Sequence, residues 1–283
     1  TNWEQSAWVT VGAVFAVLIF GLPHGAYDLQ LIASRFNERG PKHSNHTASG
    51  TLALYVLFAV AAAFLWMFQP SIALGLFIIM AGIHFGEDWE MLEPGLLRAM
   101  AGFSPLATIV VSSPTEAYTL FAALSDPSTG SILVKSITMA SPVILLVTLV
   151  AHAVSWKDGN HWWCLSQLTA LTVCATAPAV LAFTAFFILF HSPIHLIRTR
   201  HILAQWQWTK FLGYGLGISA IAILLMLLFS SVAFEPLTPS IDTVLFMFRL
   251  LAIVTVPHLV MHSATTQHMR KVLLQQQQRR LPA

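Results

Sequence analysis

The feature that most constrains this chain is a series of long apolar runs, each about the length needed to cross a bilayer as helix. A hydrocarbon core of about 30 Å takes about 20 residues of helix. Nine stretches approach that length: roughly 7–28, 50–69, 71–88, 95–112, 131–155, 161–176, 178–198, 211–232 and 241–262. Pro70 separates the second from the third. The run 161–198 would be about 57 Å long as one helix, too long to cross once, so a turn is expected at Ala177-Pro178. The stretch 115–124 reads as a short interfacial helix. The expected fold is an all-α, polytopic transmembrane helix bundle of about eight or nine spans. Residues 1–283 read as a single integral-membrane domain ending in a polar, basic tail at 270–283.

Composition excludes the alternatives. Only 9% of the residues are charged and 56% are hydrophobic, against roughly 25% charged in soluble proteins. That charge cannot cover the surface of a soluble enzyme, and a net charge of +2 with no dense basic face argues against a nucleic-acid partner. Cys164 and Cys174 would lie about 15 Å apart on one helix, too far for a disulfide. No cleavable signal peptide is expected, because the first apolar run leads into a polar motif. Lys and Arg cluster in 34–49, after the seventh span and in the tail, whereas 113–130 and 233–240 have neither. The positive-inside rule then places the N-terminus outside and the C-terminus in the cytoplasm.

Twelve histidines nearly equal the fourteen Lys and Arg, in a solvent where polar side chains are costly. On this topology His24, His84, His191, His195, His258 and His262 fall late in spans one, three, seven and nine, toward the cytoplasmic end. His43, His46, His152, His161, His201 and His268 fall in loops, at helix ends or in the tail. The first group sits in repeated patterns: His24-x3-Asp28, His84-x3-Asp88, His191-x3-His195 and His258-x3-His262. On an α-helix, i and i+4 share a face. Two imidazoles so placed can chelate a metal, and an Asp can ligate or hold the second ring N–H. Imidazole suits Fe, Zn, Cu and Ni. A lone histidine near a helix end is usually interfacial, but six at one level on four helices point to a metal site. Pro193 is expected to kink the span-seven motif. Arg249 sits mid-span, where it calls for a carboxylate, a carbonyl or a polar cavity. Phe183, Phe186, Phe187 and Phe190 could line an apolar tunnel or simply pack. Trp162, Trp163, Trp206 and Trp208 read as an interfacial belt.

Gly21-Leu22-Pro23-His24-Gly25-Ala26-Tyr27-Asp28, with His84-Phe85-Gly86, His191-x3-His195 and Pro257-His258, resembles the Brp/Blh family of membrane β-carotene dioxygenases, over essentially the whole chain. The resemblance implies a non-haem Fe(2+) enzyme of the prokaryotic inner membrane that splits the central double bond of β-carotene with O2 into two molecules of all-trans-retinal. It implies iron on His24, His84, His191 and His195, with His258 a fifth ligand or neighbour; His262 is outside the family pattern. Asp28 and Asp88 are expected to orient ligands. The lipid bilayer would deliver the substrate, and a retinal-binding rhodopsin is a possible acceptor of the product. Two other classes share some of these features. A membrane di-iron desaturase or hydroxylase would carry H-x2-H-H, which is absent here. A metal or proton transporter would show inverted repeats or broken helices at mid-membrane.

Overall fold

A computed structural model describes residues 8–9, 12–13, 15–37, 41–89, 91–93, 95–229, 245 and 248–260, without the side chains of 24, 33–37, 41–49, 222 and 225–229. Among the described residues every regular element is helical. We number the helices α1 (Asp28–Asn37), α2 (Pro41–Phe68), α3 (Pro70–Gly86), α4 (Gly95–Ser112), α5 (Pro114–Leu124), α6 (Pro127–Lys157), α7 (His161–Thr176), α8 (Ala179–Ile202), α9 (Trp208–Phe229) and α10 (Phe248–Val260).

Five helical stretches are long and apolar enough to cross a membrane: Gly50–Phe68, Pro70–Trp89, Gly95–Ser112, Pro127–Lys157 and Ala179–Ile202. They coincide with five of the nine expected spans. The outer faces carry large apolar side chains in the open: on α6, Met139 is 81% exposed and Val143 62%. Hydrocarbon matches such a face and water does not.

Proline and acidic caps set the boundaries. Gln69, before Pro70, leaves the helical region, and Pro178 breaks the long run where the sequence placed the turn. Asp126 caps α6: Thr129 donates its backbone N–H and its hydroxyl to the carboxylate, and Ser71 at the start of α3 donates a third bond. Glu116 on α5 accepts the backbone N–H of Ala179 at 2.7 Å, supplying negative charge at the start of α8.

Between helices already in hydrocarbon, apolar burial contributes little, and close backbone approach takes over. Gly82 and Gly86 of α3 face Gly102 of α4 so tightly that a methyl on Gly102 would run into the backbone of both. This seam fixes the height and rotation of α3, and hence of His84.

Two helices leave the α pitch. Residues 17–21 (Val17–Gly21) form a π-turn followed by a 3-10 stretch, Leu22–Tyr27, and Phe187–His191 form a second π-turn within α8. Each π-turn is followed two residues later by a proline, Pro23 or Pro193. Proline lacks the N–H for the i−4 carbonyl, and its ring clashes there. The wider turn relieves that clash, so the kink expected at Pro193 takes the form of a π-turn just before it. The two turns abut: the Phe187 ring lies over Gly21, and the Ser192 hydroxyl donates to the Phe20 carbonyl at 2.9 Å.

Candidate metal centre

Four imidazoles from three helices meet in the interior. His84 comes from the last turn of α3, His191 and His195 from α8, and His258 from α10. All four are buried, at 3% exposure or less. The His84 ring centroid lies 4.8 Å from His191, 4.9 Å from His195 and 5.0 Å from His258. One ligand atom each from His84, His191 and His195 falls within 4.8 Å of the others.

Carboxylates hold the outer edges of three rings. Nδ1–H of His84 donates to Glu87 Oε2 at 2.7 Å, that of His191 to Asp88 Oδ2 at 2.9 Å, and that of His258 to Asp28 Oδ2 at 2.8 Å. His195 Nε2 lies 3.1 Å from Asp88 Oδ1, close enough for an ion pair though out of line for a hydrogen bond. A neutral imidazole that donates Nδ1–H carries its lone pair on Nε2. The Nε2 atoms of His84, His191 and His258 are all buried.

The i+4 spacing is not the whole of the pairing. Asp28 serves His258, Asp88 serves His191 and lies against His195, and His84 is held by Glu87. The reason is pitch. Glu87–Trp89 is a 3-10 turn, in which i+3 is eclipsed and i+4 is rotated away. Glu87, at i+3 from His84, therefore takes the place expected for Asp88.

Arg198 is a further residue that sequence reasoning missed. It continues the face of His191 and His195 at i+7, a spacing that would have revealed it. Its guanidinium donates to the carbonyls of Glu87 and Asp88 at 3.2 and 3.3 Å, pinning the turn that carries both carboxylates. Gly25 is also explained, since a Cβ there would stand 3.2 Å from Cγ of His258. Tyr27 anchors the same motif: it stacks on Phe211 at 4.3 Å and donates to the Phe211 carbonyl at 2.6 Å.

The other sequence candidates are placed as follows. His262 lies outside the described residues, as do His268 and the side chains of His24, His43 and His46. His24 itself occupies the 3-10 stretch beside Gly25. His161 and His201 are exposed. His152, in the last turns of α6, is buried, bonds the Thr148 carbonyl and packs on Trp89. Arg249 reaches a carbonyl, that of Ala123, at 3.4 Å. Phe186 and Phe187 pack beside His191 in the core, whereas Phe183 lines an apolar cavity of about 80 Å³.

The donor set fits a divalent metal. Nitrogens bound at about 2.0–2.1 Å stand at most about 4.2 Å apart, so the three need to draw in by roughly half an ångström. Charge points the same way. Asp28, Glu87 and Asp88 bring three formal negative charges and Arg198 one positive, which a dication balances while the imidazoles stay neutral.

A family model described as beta-carotene 15,15'-dioxygenase matches residues 15–265. The chain belongs to the β-carotene 15,15'-dioxygenase family. It is also similar to a beta-carotene 15,15'-dioxygenase of uncultured marine bacterium 66A03, at 26% identity over 188 residues. That match spans 65% of this chain and 66% of the relative's own length. No solved structure matches. The family match takes in every residue of the imidazole cluster and its carboxylates, from Asp28 to His258.

Proposed function

We propose that the chain is an iron-dependent membrane dioxygenase that cleaves the central double bond of β-carotene with O2 to give two molecules of all-trans-retinal. Fe(II), when bound, supplies the activation of O2. His24, His84, His191 and His195 are its proposed ligands, with His258 a fifth ligand or close neighbour. Glu87, Asp88 and Asp28 hold ring N–H groups, fix the tautomers and raise ligand basicity. Both oxygen atoms enter the two aldehyde products, so no external reductant is required and no side chain has to act as a general acid or base.

The protein's part is positional. The cluster sits among Phe85, Phe186 and Phe187, whose rings exclude water and present an apolar wall to a hydrocarbon. We place the enzyme in a prokaryotic inner membrane as one integral-membrane unit, with its N-terminus outside and the metal toward the cytoplasmic side. The bilayer supplies β-carotene, and a retinal-binding protein such as a rhodopsin is the natural acceptor of the product.

The observation that carries this reading is the convergence of His84, His191 and His195 within 4.8 Å in a chain of this family. The test is aerobic incubation of purified, iron-loaded protein with β-carotene, with metal content and products measured together. Retinal at two per β-carotene consumed, without added reductant, is expected. No retinal, or unchanged activity in His84→Ala, would overturn the assignment.

A further inference from the structure

A cavity of about 250 Å³ lies beside the imidazole cluster, between α2 and α9. Its inner end is walled by Asp28 and His258, both buried. Its outer end is formed by Leu52, Ile218 and Ile221, which are 50%, 37% and 54% exposed on the apolar surface. Among the described residues the cavity thus runs from the cluster to the face that meets hydrocarbon.

The wall is mostly apolar, and besides Asp28, Ser219 and His258 its polar side chains are Tyr55 and Thr255. Asp28 is bonded to His258 at 2.8 Å, and the Ser219 hydroxyl turns back to its own helix, donating to the Gly215 carbonyl at 2.8 Å. A wall this largely apolar, with its buried carboxylate and the Ser219 hydroxyl engaged on the protein, favours a predominantly apolar ligand. The position at His258 favours a long one, whose reactive part stops at the cluster while the remainder stays behind.

We infer that this cavity is a lateral substrate channel, which admits β-carotene from the bilayer between α2 and α9 and holds one arm of the polyene so that its central bond stands at the imidazoles. The inference rests on the dioxygenase reading. Channel length then selects which bond is cut, because the ring at the end of the arm lodges where Leu52 and Ile221 open to lipid.

The test obstructs the channel. Ser219→Phe fills it from α9, and Ile218→Trp closes its mouth should the first variant fail to fold. Both are compared with wild type for iron content, for cleavage of β-carotene, and for cleavage of a carotenal with one arm shortened. Binding of β-carotene to metal-free protein is read by the circular dichroism induced in its visible band. We expect iron content to hold, β-carotene turnover to fall at least about tenfold, and the induced band to disappear. The shortened substrate enters by the same mouth and should also slow, but by less than β-carotene in Ser219→Phe, where its stub needs less of the channel. Folded, iron-loaded variants that bind and cleave β-carotene normally would make the cavity a lipid-filled groove and overturn the inference. Folded variants that lose turnover yet keep the induced band of bound β-carotene would overturn it too. A wild-type protein inactive on either substrate would instead refute the dioxygenase reading itself.

Discussion

Asp28 and His258 stand 230 positions apart in sequence and share a buried hydrogen bond of 2.8 Å. The bond ties the first irregular helix to the last described one and sets the rotation of the His258 ring above Gly25. Asp28→Ala should lower iron affinity or activity about 10- to 100-fold, as loss of a carboxylate partner does in other metal sites. Iron titration beside retinal formation checks this. Unchanged affinity would show that His258 needs no orienting partner.

The seam between α3 and α4 yields a contrast between two glycines. Gly102→Ala forces a methyl against the Gly82 and Gly86 backbone and should cost about 1–3 kcal/mol, with loss of iron as His84 shifts. Gly75 lies on α3 with nothing within 4 Å of its would-be Cβ, so Gly75→Ala should be neutral or slightly stabilising. Thermal unfolding in detergent, with iron retention, measures both.

Arg198 donates to two neighbouring carbonyls at once. Lysine is a point donor and cannot reproduce that fork. Arg198→Lys should therefore retain part of the function and Arg198→Ala little, with faster amide exchange at 87–89 in that same order. Equal exchange in all three proteins would leave the guanidinium without a role in holding the turn.

At the opposite end of α6, three bonds from Thr129 and Ser71 hold the Asp126 carboxyl down at about 2, below its ordinary value. A depressed carboxylate stabilises the fold above its unfolded pKa of about 3.9 and stops doing so as pH falls through the folded value. Wild type should melt above Asp126→Ala at neutral pH, and the gap should close between about pH 4 and pH 2. A gap independent of pH would mean the cap acts through shape and not charge.

Much of this arrangement is legible in the sequence, and what escapes is a matter of pitch. The breaks at Pro70 and Pro178 can be read directly, because proline acts on its own neighbours. His191 and His195 share a face as their spacing suggests. Not all of the carboxylate contacts follow, since the i+4 rule presumes an α-helix and Glu87, at i+3 from His84, lies in a 3-10 turn. Their partners are set by packing of distant helices, which no local spacing encodes. The burial of His152 escapes a local reading for a related reason, because Trp89, which covers it, comes from another part of the chain.

The π-turn at Phe187–His191 holds one residue more than an α-turn would. Rewinding these same residues at the ordinary α pitch would give a more regular helix, yet it would swing every later side chain by about 100°. His195 and Arg198 would then point away from His84. The surplus residue works as a register key, and a tidier helix here would be an emptier site.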